Sequence, residues 1–227
     1  MVVEIQNHGE ISLSHLGVLF LDELPEFNRN ALESLRIPLE ERNVTIHRLN
    51  LAITYPCEFM LIASMNPCQC GYYGSQEKQC SCRPEQIKKY INRVSGPLLD
   101  RIDIHIEVSP IAYQQFEQKQ YLETSATIRD RVNQARNLQL IRYQKDFIFS
   151  NSELTPKLIE KFCPLNSKCK QILEMTFRKL GLSARAYNSI LKVARTIADL
   201  DKSEKIQENH LAEAIQYRSL DRKYWNH

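Results

Sequence analysis

Gly17-Val18-Leu19-Phe20-Leu21-Asp22-Glu23 decides how this chain is read: four consecutive large apolar residues, bounded by Gly17 and Pro25, that end in two carboxylates. An unbroken apolar run of that length reads as a strand buried on both faces, as in a parallel sheet. Asp22 and Glu23 then stand at its carboxyl end, the edge at which open α/β sheets bind ligands. A nucleotide's magnesium needs a hard oxygen ligand there, and an attacking water needs a base. Asp22 suits the first role and Glu23 the second. The same residues also suit an ordinary strand that ends in two solvated acids.

After this run the first half alternates short strands with short helices. Asn28 is placed to cap a helix whose Leu32, Leu35 and Leu39 share one face, until Pro38 and Arg42-Asn43 end it. Two β-prone pieces follow, Val44 to Arg48 and Leu51 to Tyr55, with Leu49-Asn50 between them, which predicts a hairpin. A second buried strand is expected over Phe59 to Ser64, ending in Met65, Asn66 and Pro67. A third is expected over Ile102 to Val108, where apolar residues alternate with Asp103, His105 and Glu107. From about Ser125 the pattern is helical throughout. Apolar residues at spacings of three and four, such as Ala186, Ile190, Val193 and Ile197, predict helices near 125–143, 153–162, 167–180, 184–200 and 208–217. The expected organisation is an α/β domain over 1–110 and an all-helical domain over 125–227.

The formal net charge of +3 is unevenly spread. Residues 1–110 carry 10 Lys and Arg against 14 Asp and Glu, and residues 111–227 carry 20 against 13. The helical half is therefore the side suited to a polyanion such as DNA, although solvated helices are often basic without one. No stretch approaches the roughly 18 apolar residues of a membrane span, and the N-terminus lacks a signal-peptide pattern, so a cytoplasmic location is expected. Seven cysteines, an odd number, argue against a disulfide framework.

Several residues carry possible chemistry. Asn66, at the end of the second strand, offers an amide to an attacking water or a γ-phosphate beside Glu23; an Asn-Pro pair is also a common turn. Arg101 lies at a turn, where a guanidinium can reach a neighbouring subunit's γ-phosphate as an arginine finger or pair locally with Asp100 or Asp103. Ser183 is placed to cap the helix that has Arg185 in its first turn. Cys68-Gln69-Cys70 and Cys80-Ser81-Cys82 are two C-x-C pairs nine residues apart, with Gly71 and Gly74 allowing the chain to turn back. Four thiolates can then meet around zinc, or remain free thiols; Cys57, Cys163 and Cys169 read as buried or incidental thiols.

The order of these parts, an acidic strand end, a hairpin, an Asn-ended strand, a turn arginine and a second arginine among helices, resembles that of AAA+ ATPases. The wording GEISLSHLGVLFLDELPEF (9–27), ITYPCEFMLIASMNPC (53–68), SGPLLDRIDIHIEV (95–108) and LSARAYNSILKVARTIADL (182–200) resembles the magnesium-chelatase-like competence proteins of the ComM/YifB family. That resemblance implies a partial AAA+ parallel-sheet core followed by a helical lid. It implies that Asp22 and Glu23 are the Walker B pair with Asp22 on magnesium, Asn66 sensor 1, Arg101 the arginine finger and Arg185 the sensor 2 arginine beside ATP. It also implies that His47, Arg48 and Asn50 lie near a hairpin tip facing the DNA-bearing pore of a hexameric ring, and that ATP drives branch migration of DNA in natural transformation.

One departure limits what the chain does by itself. No G-x-x-x-x-G-K-[ST] loop occurs, and none of the six glycines is followed by lysine, so the usual cradle for the β- and γ-phosphates is missing. The expectation is therefore part of a longer motor, inactive as an ATPase alone. Two other readings stay open: a magnesium-chelatase or MoxR-like motor that remodels protein, and a truncated non-enzymatic module for oligomerisation or nucleic-acid binding.

Overall fold

The computed structural model describes residues 9–48, 51–75, 78–108 and 123–218. It separates into two compact units, one running to Ile102 and the other beginning at Asp103. The first is α/β and the second helical, and residues 103–108, expected in the α/β domain, fall with the helical unit.

The α/β unit opens with a short helix, α1 (Glu10–Leu13), and strand β1 (Val18–Leu21), followed by a 3-10 turn (Leu24–Glu26). Two helices come next, α2 (Arg29–Ser34) and α3 (Arg36–Glu41). Asn28 caps α2 by accepting a hydrogen bond from the Asn30 amide at 2.9 Å. A single helix was expected here, but it breaks at Leu35. Pro38 lacks the N–H that would have bonded the Ser34 carbonyl one turn earlier. Strands β2 (Asn43–Arg48) and β3 (Leu51–Pro56) then form the expected antiparallel hairpin, with Val44 opposite Tyr55 and Arg48 opposite Leu51. Thr45 and Thr54 share a cross-strand hydroxyl contact of 2.9 Å. At the hairpin's base the Arg42 carbonyl accepts from the Cys57 amide, and the Arg42 guanidinium reaches Glu58 at 2.7 Å.

Strand β4 (Met60–Ala63) returns beside β1 in parallel, with Val18 opposite Met60 and Leu21 opposite Ala63. A parallel pair needs a long crossover, and α2, α3 and the hairpin supply it. Helices α4 (Pro84–Ile91) and α5 (Gly96–Leu99) complete the unit. Its buried residues come from the turn after β1, from α2, and from the region of α4 and α5: Leu24, Leu32, Leu35, Ile87, Tyr90, Val94 and Leu98 among them.

The expectation that β1 is buried on both faces is not met. Val18, Phe20, Met60 and Ile62 share one face of the two-stranded sheet and are 44–63% exposed, while Leu19, Leu21, Leu61 and Ala63 on the other face are half-buried. Alternate residues of a strand point to opposite faces, and among the described residues nothing covers this one. The strand expected over Ile102–Val108 does not form either. The backbone amide of His105 donates instead to the Tyr217 carbonyl at 2.9 Å, and the Asp103 carboxylate accepts from Ser189 Oγ at 2.6 Å, so both contacts are made within the helical unit.

The helical unit holds α6 (Ser125–Tyr143), α7 (Pro156–Phe162), α8 (Ser167–Leu180), α9 (Ala184–Leu200) and α10 (Glu208–Gln216). Side-chain oxygens of Thr124, Thr155, Asn166 and Ser183 cap the first four, each accepting an amide hydrogen from the first turn. The apolar core gathers Tyr143, Leu154, Ile159, Leu173, Ile190, Leu191, Ala194, Ala198 and Leu211. Through it runs a polar network centred on the fully buried Asp199. Arg142 pairs with both carboxylate oxygens, Arg195 Nε donates to one at 3.1 Å, and Asn151 Nδ2 donates to the other at 2.9 Å. Arg195 also donates to the carbonyls of Ser203 at 2.6 Å and Glu204 at 2.8 Å, fixing the turn before α10.

Candidate functional site

The parallel register carries β1 and β4 to the same edge, so Asp22 and Glu23 leave one strand where Ser64, Met65 and Asn66 leave the other. Asp22 Oδ1 accepts hydrogen bonds from Ser64 Oγ and, at 3.1 Å, from the Glu23 amide. The Leu24 amide donates to the Ser64 carbonyl at 2.9 Å, and the Ser64 amide to the Leu21 carbonyl at 3.0 Å. Ser64 thus locks the two strand ends together. Sequence reading passed over it as the last residue of an apolar run; its position opposite the acidic pair becomes visible only once the strands are paired.

Glu23 occupies the left-handed region, at φ 52° and ψ 51°, a conformation that costs a side-chain-bearing residue of this kind roughly 1–3 kcal/mol. The following turn is held by Arg93, which donates to the Pro25 carbonyl at 3.2 Å and to Glu26 at 2.8 Å. Asp22, Glu23 and Asn66 are all exposed at this edge. On the Asn66 side, burial pushes the Tyr90 phenol up, while a hydrogen bond with the Asn66 backbone works the other way and ties that turn to α4.

An exposed carboxylate already fixed by a hydroxyl fits one hard ligand of a magnesium ion. Phosphates fit less well. The chain's residues supply an acid, a base and an amide but no glycine-rich loop of backbone amides, so no catalytic step through a nucleotide is derived from them alone.

Arg101 is largely buried in the α/β unit, where its guanidinium pairs with Glu40 of α3 and donates to the Pro97 carbonyl at 2.6 Å. Its Nε has no partner among the described residues. The local ion pair is thus made with Glu40, a residue the sequence did not connect to it. In the helical unit, Arg185 is half-buried in the first turn of α9, just after the Ser183 cap, which accepts from the Ala186 amide at 3.1 Å. His47 and Arg48 belong to β2, with backbones opposite Ala52 and Leu51, and Asn50 lies outside the described residues.

The four clustered cysteines converge. Cys68 Sγ lies 3.4 Å from Cys70 Sγ and 3.7 Å from Cys80 Sγ, with 3.5 Å between Cys70 and Cys80, and all four sulfurs including that of Cys82 lie within 4.8 Å of one another. A hydrogen bond from the Tyr72 backbone helps hold the Cys70 thiol down at about 5, while burial and the neighbouring sulfurs push Cys80 up to about 12 and Cys82 up as well. Cys57, Cys163 and Cys169 are buried and apart from this group, and burial pushes each of their thiols up, Cys163 to about 11.

Comparison with known proteins identifies the family. The family model described as magnesium chelatase, subunit ChlI, matches residues 3–116, and that of the subunit ChlI C-terminal region matches residues 122–218. This chain belongs to the magnesium-chelatase family. Within it, the chain is 46% identical over 220 residues to YifB of Escherichia coli K12 and 47% identical over 219 residues to the competence protein ComM of Haemophilus influenzae. Each match covers 96% of this chain but only 42% of the relative. A Mycobacterium tuberculosis protein is 33% identical over 211 residues, with 92% of this chain and 41% of that protein covered. The chain therefore spans about two-fifths of the length of the curated relatives it matches. No helix among the described residues is long and apolar enough to cross a membrane.

Proposed function

We propose that this chain is the acid-bearing part of the α/β core, plus the helical lid, of an ATP-driven hexameric motor that moves DNA, in the manner the ComM/YifB resemblance implies. The observation that carries this reading is the shared edge of β1 and β4, where Asp22 and Glu23 meet the turn leading to Asn66 with Ser64 fixing the acid. In this reading Asp22 holds magnesium, which neutralises phosphate charge, and Glu23 accepts the proton of the attacking water. Asn66 orients that water, Arg101 acts on a neighbouring subunit's nucleotide and Arg185 closes the site from the lid. The pairing of Arg101 with Glu40 gives the finger a resting partner that it would leave when a neighbour docks. The hairpin, with His47, Arg48 and Asn50 at or near its tip, would track DNA. Its register, closing at Arg48 opposite Leu51, agrees with a two-residue tip.

Glu23→Gln in the longer protein tests the site. Nucleotide binding should persist while hydrolysis nearly stops, because an amide cannot take the water's proton. Unchanged hydrolysis would refute the assignment of the base. Arg48→Glu tests the DNA role: stimulation of hydrolysis by DNA should fall while the basal rate holds. DNA affinity should drop steeply with salt and depend little on sequence. The match to magnesium chelatase, subunit ChlI, favours one second reading, a magnesium-chelatase-like motor that remodels a protein. Stimulation left intact by Arg48→Glu, with affinity flat across salt, would favour that reading.

A further inference from the structure

We propose that Cys68, Cys70, Cys80 and Cys82 form a closed tetrathiolate zinc centre that ties the end of β4 to the start of α4. A zinc ion with four thiolates at about 2.3 Å sets its sulfurs about 3.8 Å apart along the edges of a tetrahedron. The sulfur separations of 3.4, 3.5 and 3.7 Å are close to that edge and far longer than the roughly 2.05 Å of a disulfide. Thiols brought together only by chance packing would have no reason to gather as four, each within 4.8 Å of the others.

The loop is built for this convergence. Gly71 and Gly74 adopt φ of 81° and 80°, where a side chain would be strained, and they reverse the chain between the two C-x-C pairs. The Gly71 amide closes the first turn onto the Cys68 carbonyl at 3.0 Å. Backbone groups also address the sulfurs: those of Tyr72 and Ser81 hydrogen-bond Cys70, that of Cys82 bonds Cys80, and that of Cys70 bonds Cys82.

Four soft sulfur ligands in this shape select zinc among the common divalent ions. They leave no open coordination position, so the ion braces the chain and performs no hydrolysis. Its place in the fold gives the brace a purpose. Cys68 follows Asn66 by two residues and is fully buried, while Cys82 precedes Pro84, the first residue of α4. The centre thus fixes the turn after the sheet edge to the helix whose Tyr90 and Ile91 are buried in the unit. It stands on the thiol geometry and is independent of the nucleotide reading.

Elemental analysis of the whole chain, purified under reducing conditions without added metal, should give about one zinc per molecule. Cobalt substitution should produce the intense visible bands of tetrahedral thiolate coordination. Because Cys68 is fully buried and its replacement disturbs the core by itself, the decisive variants are Cys70→Ser and Cys82→Ser. Each should lose the zinc while helical circular dichroism from the second unit is retained; Cys57→Ser and Cys163→Ser should keep it. A folded chain with no zinc and four fast-reacting thiols in the loop would overturn the proposal. So would iron in place of zinc, or a full zinc complement in both loop variants.

Discussion

The helical unit closes its core, whereas the α/β unit leaves one face of its sheet open. In the helical unit even the charged groups are enclosed: Asp199 and Arg195 are almost wholly buried and satisfy each other together with Arg142 and Asn151. In the α/β unit the most apolar stretch of the sequence, Val18 to Leu21, contributes no fully buried residue, and Phe20 is 59% exposed. A sheet face made of Val, Phe, Met and Ile is built to be covered. The contrast teaches that a run of apolar residues reports the burial a strand is made for, and the chain in hand realises only part of it.

The largest effect should come from disturbing the closed unit. Asp199→Ala removes the acid that neutralises a buried arginine, and leaving Arg195 uncompensated should cost about 3–5 kcal/mol. Denaturant unfolding followed by helical circular dichroism would measure it. A loss below about 1 kcal/mol would mean that the network is less enclosed than its geometry indicates.

The next pair sharpens the comparison within the α/β unit. Leu32→Ala, at a position 1% exposed, should cost about 2–5 kcal/mol. Phe20→Ser, on the open face, should cost less than about 1 kcal/mol in this chain and should reduce binding of an apolar dye. In a chain extended to the length of the relatives, the same Phe20 change should cost several-fold more if the added segment covers the face. Equal costs in both contexts would remove the argument that the face awaits a cover.

The smallest effect concerns the edge itself. Glu23→Gly relieves a left-handed side-chain-bearing residue and should stabilise the unit by roughly 0.5–1 kcal/mol even as it deletes the proposed base. A destabilisation instead would mean that the Glu23 side chain supports the fold.

Much of this was legible in the sequence, for identifiable reasons. The hairpin was placed within a residue at each end because two β-prone runs flanked a two-residue gap. The helical unit was legible because its apolar spacing and the Ser183 cap agree. What could not be read depends on partners distant in sequence. Nothing local to Arg142 announces Asp199, 57 positions on, and the charges of Arg195 and Asp199 along one helix read as a solvated face. Glu40 is likewise separated from Arg101 by 61 positions. The third strand failed for a related reason: alternation shows that a segment can pair, but a strand needs a neighbour, and residues 103–108 make their recorded bonds to the helices instead. At the edge, Asp22, Glu23 and Asn66 stand out in the sequence because they end apolar runs, whereas the place of Ser64, which hydrogen-bonds Asp22, shows only through the register.

If the edge of β1 and β4 is the acid-bearing part of a nucleotide site, as proposed, it needs a phosphate cradle that the sequence does not supply. Steady-state ATP hydrolysis with magnesium should therefore be measured for the chain alone and for the chain joined to a segment that carries a G-x-x-x-x-G-K-[ST] loop. The chain alone should not exceed background, and the joined protein should turn over ATP in a manner abolished by Glu23→Gln. Robust hydrolysis by the chain alone, or a joined protein indifferent to Glu23→Gln, would contradict the account.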